Sequence, residues 1–298
     1  MSSFDPNSNR EKCTAYLGDV FQTQVEFIRA EILQQSTRAA PWRLDVRVNG
    51  EARSFVLQTD PDGMQYEYNI LKAMASIPLP TPHPYGLDLQ GKALGIPCFF
   101  SDFMDGSSLL APMQVGEPWA EKLYIDTVCA LQSLTEADLG NVARDLERIP
   151  VEDLLEKAYS DLRNRELPLA QAVHQELKDS KPPLPALCFS NGDLWLDNFI
   201  VKDKKLAGVI DFRNAAFSDP VYEFLLSFFA SPELQGRGTE ERFCQRIGVD
   251  PTLLHWYHGL EFFETWSWAL RTGKNFVHHS AASLEIDLKH WLDDEHSC

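Results

Sequence analysis

The sequence predicts an α+β protein of two lobes: a small β-rich N-terminal lobe over 1–105 and a larger, mostly helical lobe over 106–298. Three observations carry this. Short β-rich runs gather between residues 43 and 104, helical apolar spacing dominates from Trp119 onward, and Asp105-Gly106 breaks the chain between them. Nothing in the order resembles the strand–helix alternation of a doubly wound sheet, and the chain holds no repeat or low-complexity tract.

Taken in order, 10–34 carries apolar residues at Tyr16, Leu17, Val20, Phe21, Val25, Ile28 and Ile32, a spacing that predicts one or two amphipathic helices. Runs at 43–48 and 54–59 flank Asn49-Gly50, a hairpin signal whose loop reads slightly longer than two residues. After Pro61-Asp62-Gly63, the stretch 64–76 reads as a helix with Glu67, Ile70, Leu71 and Met74 on one face. Prolines at 78, 80, 82 and 84 exclude helix there. A strand within 95–104 leads into a linker. Helical patterns then run from 119 to 134 and from 151 to 177.

Composition narrows the function. The 298 residues include 27 Lys+Arg and 44 Asp+Glu, a formal net charge of −17. That balance argues against a general nucleic-acid binder or an anionic-membrane binder, both of which need positive surface. The six cysteines are scattered and form no C-x-x-C pair, so they read as small core residues in a reduced compartment rather than zinc ligands. The polar opening and the absence of a long apolar run lead to the expectation of a cytoplasmic protein.

The chemistry concentrates between Cys188 and Phe212. Phe199-Ile200-Val201 and Leu206-Ala207-Gly208-Val209-Ile210 flank the polar Lys202-Asp203-Lys204-Lys205, a hairpin pattern. Asn198 precedes the first strand and Asp211 follows the second, so antiparallel pairing brings them to one open end. Asp193 lies five residues before Asn198, on the loop feeding the hairpin. Two carboxylates and an amide oxygen converging there would form a hard-oxygen site for Mg2+ with one acid left as a base, the set that phosphoryl transfer requires.

The stretch Asn191-Gly192-Asp193-Leu194-Trp195-Leu196-Asp197-Asn198 resembles the H-G-D-x-x-x-x-N signature of the aminoglycoside phosphotransferase and choline kinase family. Val209-Ile210-Asp211-Phe212 and Ser218-Asp219-Pro220-Val221-Tyr222-Glu223 resemble the elements that follow it. The resemblance implies a protein-kinase-like fold and transfer of the terminal phosphate of ATP or GTP to a hydroxyl of a small molecule. It implies Asp193 as base, Asn198 and Asp211 as Mg2+ ligands, and Asp219 as a brace for the loop, although Asp219 before Pro220 is equally a helix N-cap. Upstream, Gln58 and Glu67 match a phosphate-binding strand residue and its helix partner. Asp102 and Met104 fall in the adenine-holding linker. Ser36 and Arg38 fall in the phosphate-covering loop, 34–41.

This sequence departs from the pattern in four places. Gln58 stands where a cation is usual, the loop 34–41 lacks glycine, Asn191 replaces the His, and Arg213 follows Asp211-Phe212 in place of a Gly. The base and metal positions stand while the nucleotide-gripping ones are altered. An active small-molecule kinase is the first reading. A catalytically degenerate kinase-like protein, binding a ligand or a protein partner, is the alternative. Glu261, Glu264 and Trp268 lie in an aromatic, acidic helical stretch, which points to a cationic or sugar-like acceptor. His278-His279 reads as a solvated pair.

Overall fold

A computed structural model describes residues 4–33 and 41–295. The chain divides into two compact units, one comprising 1–108, 136–145 and 197–215, the other 109–135, 146–196 and 216–298.

The first unit opens with α1 (Arg10–Phe21), followed by β1 (Val25–Ile32), β2 (Trp42–Val48), β3 (Glu51–Gln58), α2 (Met64–Met74), β4 (Pro84–Asp88) and β5 (Cys98–Asp102). The strands form one sheet in the order β1-β2-β3-β5-β4. Two expectations are corrected here. The second half of the stretch read as helical is the strand β1: the helix stops at Gln22, which adopts a left-handed conformation (φ 53°), and the chain then pairs along β2. Its β-branched residues sit at an edge, where Ile28 (43% exposed) falls at a register shift and Ile32 is 58% exposed, so spacing alone fits helix and strand equally. The β2–β3 loop is two residues, not longer: Val48 pairs with Glu51, and Asn49 and Gly50 take φ of 52° and 83°, the turn that matches strand twist. Leu44, Val46, Phe55, Leu57 and Phe100 face α1 residues Cys13 and Leu17 in the core of this unit.

A second, small sheet in the same unit contains the predicted hairpin. Its strands β6 (Ser107–Ser108), β9 (Phe199–Lys202) and β10 (Lys205–Val209) are ordered β10-β9-β6. Asp203 and Lys204 turn it with φ of 52° and 58°.

The other unit holds α3 (Leu110–Gln114), α4 (Pro118–Gln132), β7 (Glu147–Ile149), α6 (Val151–Leu162), α7 (Pro168–Asp179), β8 (Cys188–Ser190), β11 (Ala216–Ser218), α8 (Pro220–Phe229), α9 (Thr239–Ile247), α10 (Leu254–Thr272) and α11 (Ala281–Glu295); the short α5 (Glu136–Leu139) belongs to the first unit. The helical pattern over 151–177 is broken once, near Arg163–Arg165, before Pro168 starts α7. Leu155, Leu177, Leu225, Tyr257, Phe263 and Leu288 lie in its core. His279 is not solvated: it is 8% exposed and stacks on Phe229 at 4.0 Å. Among the described residues no helix is long and apolar enough to cross a membrane.

Candidate active site

In the first unit the hairpin ladder continues one rung past the Val209–Phe199 pair. Ile210 N donates to Asn198 O at 2.9 Å, so Asn198 and Asp211 end the hairpin at its open side. Asp211 takes φ of 60°, a conformation that costs a non-glycine residue about 1 kcal/mol or more. Both residues line a cavity of about 260 Å³ together with Gln58 from the end of β3 and Glu67 from α2. Glu67 is only 3% exposed. The remaining lining is mainly apolar, including Val56, Leu71, Met104, Ile200 and Ile210. The cavity therefore joins an aliphatic slot to several oxygen-bearing side chains, which suits a ring attached to a polar tail.

The strand leading to the linker is held in register: Phe103 N donates to Ser54 O at 3.2 Å and Asp102 N to His83 O at 3.1 Å. Asp102 lines the cavity, but its carboxylate accepts from Arg53 Nη2 and Tyr85 Oη, both at 3.2 Å, and from His83 N at 3.3 Å. Met104 lies against Gly208, where a Cβ would come within 2.4 Å of the Met104 methyl carbon. Ser36 and Arg38 lie outside the described residues.

Asp193 belongs to the other unit. Its loop leaves β8, which pairs with β11 through Ser190 and Ala216. Gly192 turns the chain with φ of 75°, and its N–H donates to Ser190 Oγ at 3.0 Å. Asn191 is fully buried. Its Nδ2 donates to Asp193 O at 2.9 Å, so the amide that replaces the expected His holds the loop from inside. Trp195 N donates to Asp193 Oδ1 at 3.3 Å. Leu194 O accepts from Tyr124 Oη at 2.8 Å and Ser227 Oγ at 2.7 Å, tying the loop to α4 and α8.

This loop borders a cavity of about 510 Å³ lined by Asp193, Trp195, Glu223, Glu264 and Trp268 among others. Burial pushes the Glu223 carboxyl up to about 7, against the lowering effect of the hydrogen bond from Ser190 Oγ at 3.2 Å. Burial also raises Glu264, whose Oε2 accepts from Tyr222 Oη at 3.2 Å. Glu261, one helical turn earlier on α10, does not join this cavity; it lines a separate one.

Asp219 caps α8, accepting from Val221 N at 2.9 Å and Tyr222 N at 3.0 Å, while its other oxygen accepts from Tyr257 Oη at 2.9 Å. The N-cap is thus realised, with Tyr257 as an added partner. Ser190 is not singled out from the sequence, and Glu223 enters there only as the last residue of the stretch 218–223 that resembles a family element.

Residues 43–260 match the phosphotransferase enzyme family. The chain belongs to that family. No curated protein sequence matches this family member. Among solved structures it is similar to a Ralstonia eutropha protein provisionally assigned as an aminoglycoside phosphotransferase, at 13% identity over 95% of each chain with a TM-score of 0.68. It is similar to a thermostable mutant of aminoglycoside phosphotransferase APH(4)-Ia in ternary complex with AMP-PNP and hygromycin B, at 16% identity, 95% of this chain and 98% of that one, TM-score 0.64. A point mutant of aminoglycoside 2′-phosphotransferase-IIIa bound to GDP gives 16% identity over 98% of both chains and a TM-score of 0.65. At such identities the likeness establishes the fold. This phosphotransferase-family chain has the kinase-like α+β fold, with a sheet-rich N-terminal region and a helical C-terminal part.

The donors in the first unit's cavity fit magnesium. Mg2+ is held by one or two protein oxygens with the rest of its shell from phosphates and water. Asn198 and Asp211 supply an amide and a carboxylate oxygen on one cavity wall. Among the described residues no three His, Cys, Asp or Glu groups are placed together to hold a metal ion.

Proposed function

We propose that this protein transfers the terminal phosphate of ATP or GTP to a hydroxyl of a small molecule. The observation that carries the reading is the hairpin end, where Asn198 and Asp211 open into the cavity that also holds Gln58 and Glu67. In this reading the aliphatic slot between Val56, Leu71, Met104 and Ile210 takes the base. Asn198 and Asp211 hold Mg2+, which when bound neutralises charge on the phosphates. Gln58 donates a neutral hydrogen bond to phosphate where a cation would give a charge-assisted one.

Asp193 accepts the proton of the acceptor hydroxyl, and the Asn191 and Ser190 hydrogen bonds hold its loop ready. The cavity bordered by Asp193, Glu223, Glu264, Trp195 and Trp268 takes the acceptor. Carboxylates beside indole rings favour an amine-bearing or sugar-like hydroxyl compound. The proteins of like fold crystallised with AMP-PNP and hygromycin B, or with GDP, support both halves of this reading.

Magnesium-dependent hydrolysis of ATP or GTP, followed by phosphorylation across amino alcohols and aminoglycosides, tests it. Asp193→Ala lowers turnover about a hundredfold or more while leaving nucleotide binding unchanged. Absence of any nucleotide-induced thermal shift with millimolar Mg2+ overturns the reading and favours the degenerate, ligand- or partner-binding alternative that Gln58 motivates.

A further inference from the structure

A second cavity of the helical unit, about 570 Å³, lies among α9, α10 and α11 and shares no lining residue with the Asp193 cavity. Three carboxyl groups reach it, Glu240 from α9, Glu261 from α10 and Asp287 from α11, and no Lys or Arg lines it. Four imidazoles, His255, His258, His279 and His290, and the amide of Gln235 complete its polar lining. Glu261 is the decisive group. It is 1% exposed, and its Oε1 has no hydrogen-bond partner among the described residues. Its nearest ionic neighbour is His258, whose Nδ1 stands 3.8 Å from Oε2, beyond hydrogen-bond distance. A buried carboxyl left without a donor is costly, so it marks a place where a donor from a ligand is rewarded.

The aromatic side of the cavity is rigid. Trp291 donates its Nε1–H to His255 O at 2.9 Å and packs so closely on Gly259 that a Cβ there would come within 2.2 Å of the ring. Phe229 and Phe262 also line it. An aromatic wall beside a carboxyl with an unpartnered oxygen is an environment that suits an ammonium group. Among the described residues no three His, Cys, Asp or Glu side chains are placed to hold a metal ion.

We propose that this cavity binds a small aliphatic amine, one ammonium group pairing with Glu261 and resting against Trp291. Burial favours the protonated form of Glu261 in the empty cavity, holding its carboxyl well above the usual range, and it pushes Glu240 up to about 7. Burial lowers His258, so that imidazole does not supply a competing positive charge at neutral pH. Pairing with an ammonium therefore requires Glu261 to ionise and release a proton to solvent. Glu240 and Glu264 bear on the same equilibrium as neighbouring acids, and Asp287 and the other three imidazoles complete the groups facing it.

Isothermal titration calorimetry of the full chain with putrescine tests the proposal. Saturable one-to-one binding is expected, with proton release at neutral pH detected by comparing buffers of different ionisation heat, and with affinity rising as pH rises. Glu261→Gln weakens binding about tenfold or more and abolishes the proton release, whereas Glu264→Gln in the Asp193 cavity, which removes a neighbouring acid, does not weaken binding. If Glu261→Gln does not fold, Glu240→Gln serves, with an expected loss of about threefold or more. No saturable heat up to about 10 mM putrescine, unaltered affinity in whichever of these two variants is measured, or a loss in Glu264→Gln with none in Glu261→Gln overturns the proposal.

Discussion

Arg213 donates from Nη1 to Oδ2 of Asp60 across 2.9 Å, and the two side chains are only 11% and 14% exposed. Arg213 follows Asp211-Phe212, and Asp60 lies in the loop just before α2, the helix that carries Glu67. Gly63, at the start of that helix with φ of 66°, lets the arginine pass: a Cβ there would come within 2.9 Å of Arg213 Cγ. The pair therefore links the segment carrying one proposed metal ligand to the loop that launches α2. Arg213→Ala leaves the partly buried Asp60 carboxylate with the Asp62 N–H but no cation, and it should lower stability by about 2 kcal/mol in urea unfolding. Arg213→Lys should recover part of this. A loss below about 1 kcal/mol for the alanine variant would show that water replaces the guanidinium freely.

Gly208 in β10 sits under Met104, so a methyl group added there meets the thioether rather than backbone. Methionine is flexible enough to yield. The direction in which it yields matters, because Met104 lines the proposed nucleotide cavity. Gly208→Ala should keep the fold, with a change in Tm of a few degrees, yet weaken ATP or GTP binding about tenfold. Fluorescence titration with a labelled nucleotide, run beside a thermal melt, separates the two effects. Unchanged affinity would show that Met104 moves away from the slot.

What the sequence disclosed follows from how local each signal is. The hairpin at 199–209 was legible because period, turn residues and chemistry coincide in one short stretch, and Asn49-Gly50 announced its turn alone. The β1 edge was not legible, since Val25, Ile28 and Ile32 satisfy a helical period and only pairing with β2 decides. Glu261 and Glu264 read as one acidic face at a spacing of three. However, α10 is buried around most of its circumference, and residues one turn apart open into different cavities. That division depends on where α9 and α11 pack, which no spacing within α10 encodes. The isolation of Asp102 by Arg53 and Tyr85 is likewise a tertiary fact, drawn from three separate strands.

Gln58 lines the same cavity as the buried Glu67, and neither brings positive charge to it. A lysine at 58 would meet a carboxylate on one side and, in the proposed complex, phosphate on the other. Gln58→Lys should therefore tighten Mg·ATP or Mg·GTP binding by about tenfold, the magnitude of one charge-assisted hydrogen bond. The gain should shrink as salt rises. Calorimetric titration of wild type and variant checks both points. A lysine variant that binds nucleotide no better would show that Gln58 does not face the phosphates.

Glu223 supplies a test that needs no substrate. It accepts from Ser190 Oγ at 3.2 Å, and that same oxygen accepts from Gly192 N at 3.0 Å, so its charge bears directly on the loop carrying Asp193. Burial raises its carboxyl from the ordinary 4.5 to about 7 in the folded chain. Folding then binds a proton that the unfolded chain does not hold between those two values. The stabilisation is complete below the unfolded value and is lost as pH rises through the folded one. Glu223→Gln, which stays neutral, removes this dependence. The stability of wild type relative to the variant should fall by about 3 kcal/mol between mildly acidic and mildly alkaline pH. Urea unfolding of both proteins across that range measures the difference, with the titrations of all other groups cancelling. A flat difference would mean that water reaches Glu223 and that its hydrogen bond to Ser190 persists with the carboxylate charged throughout.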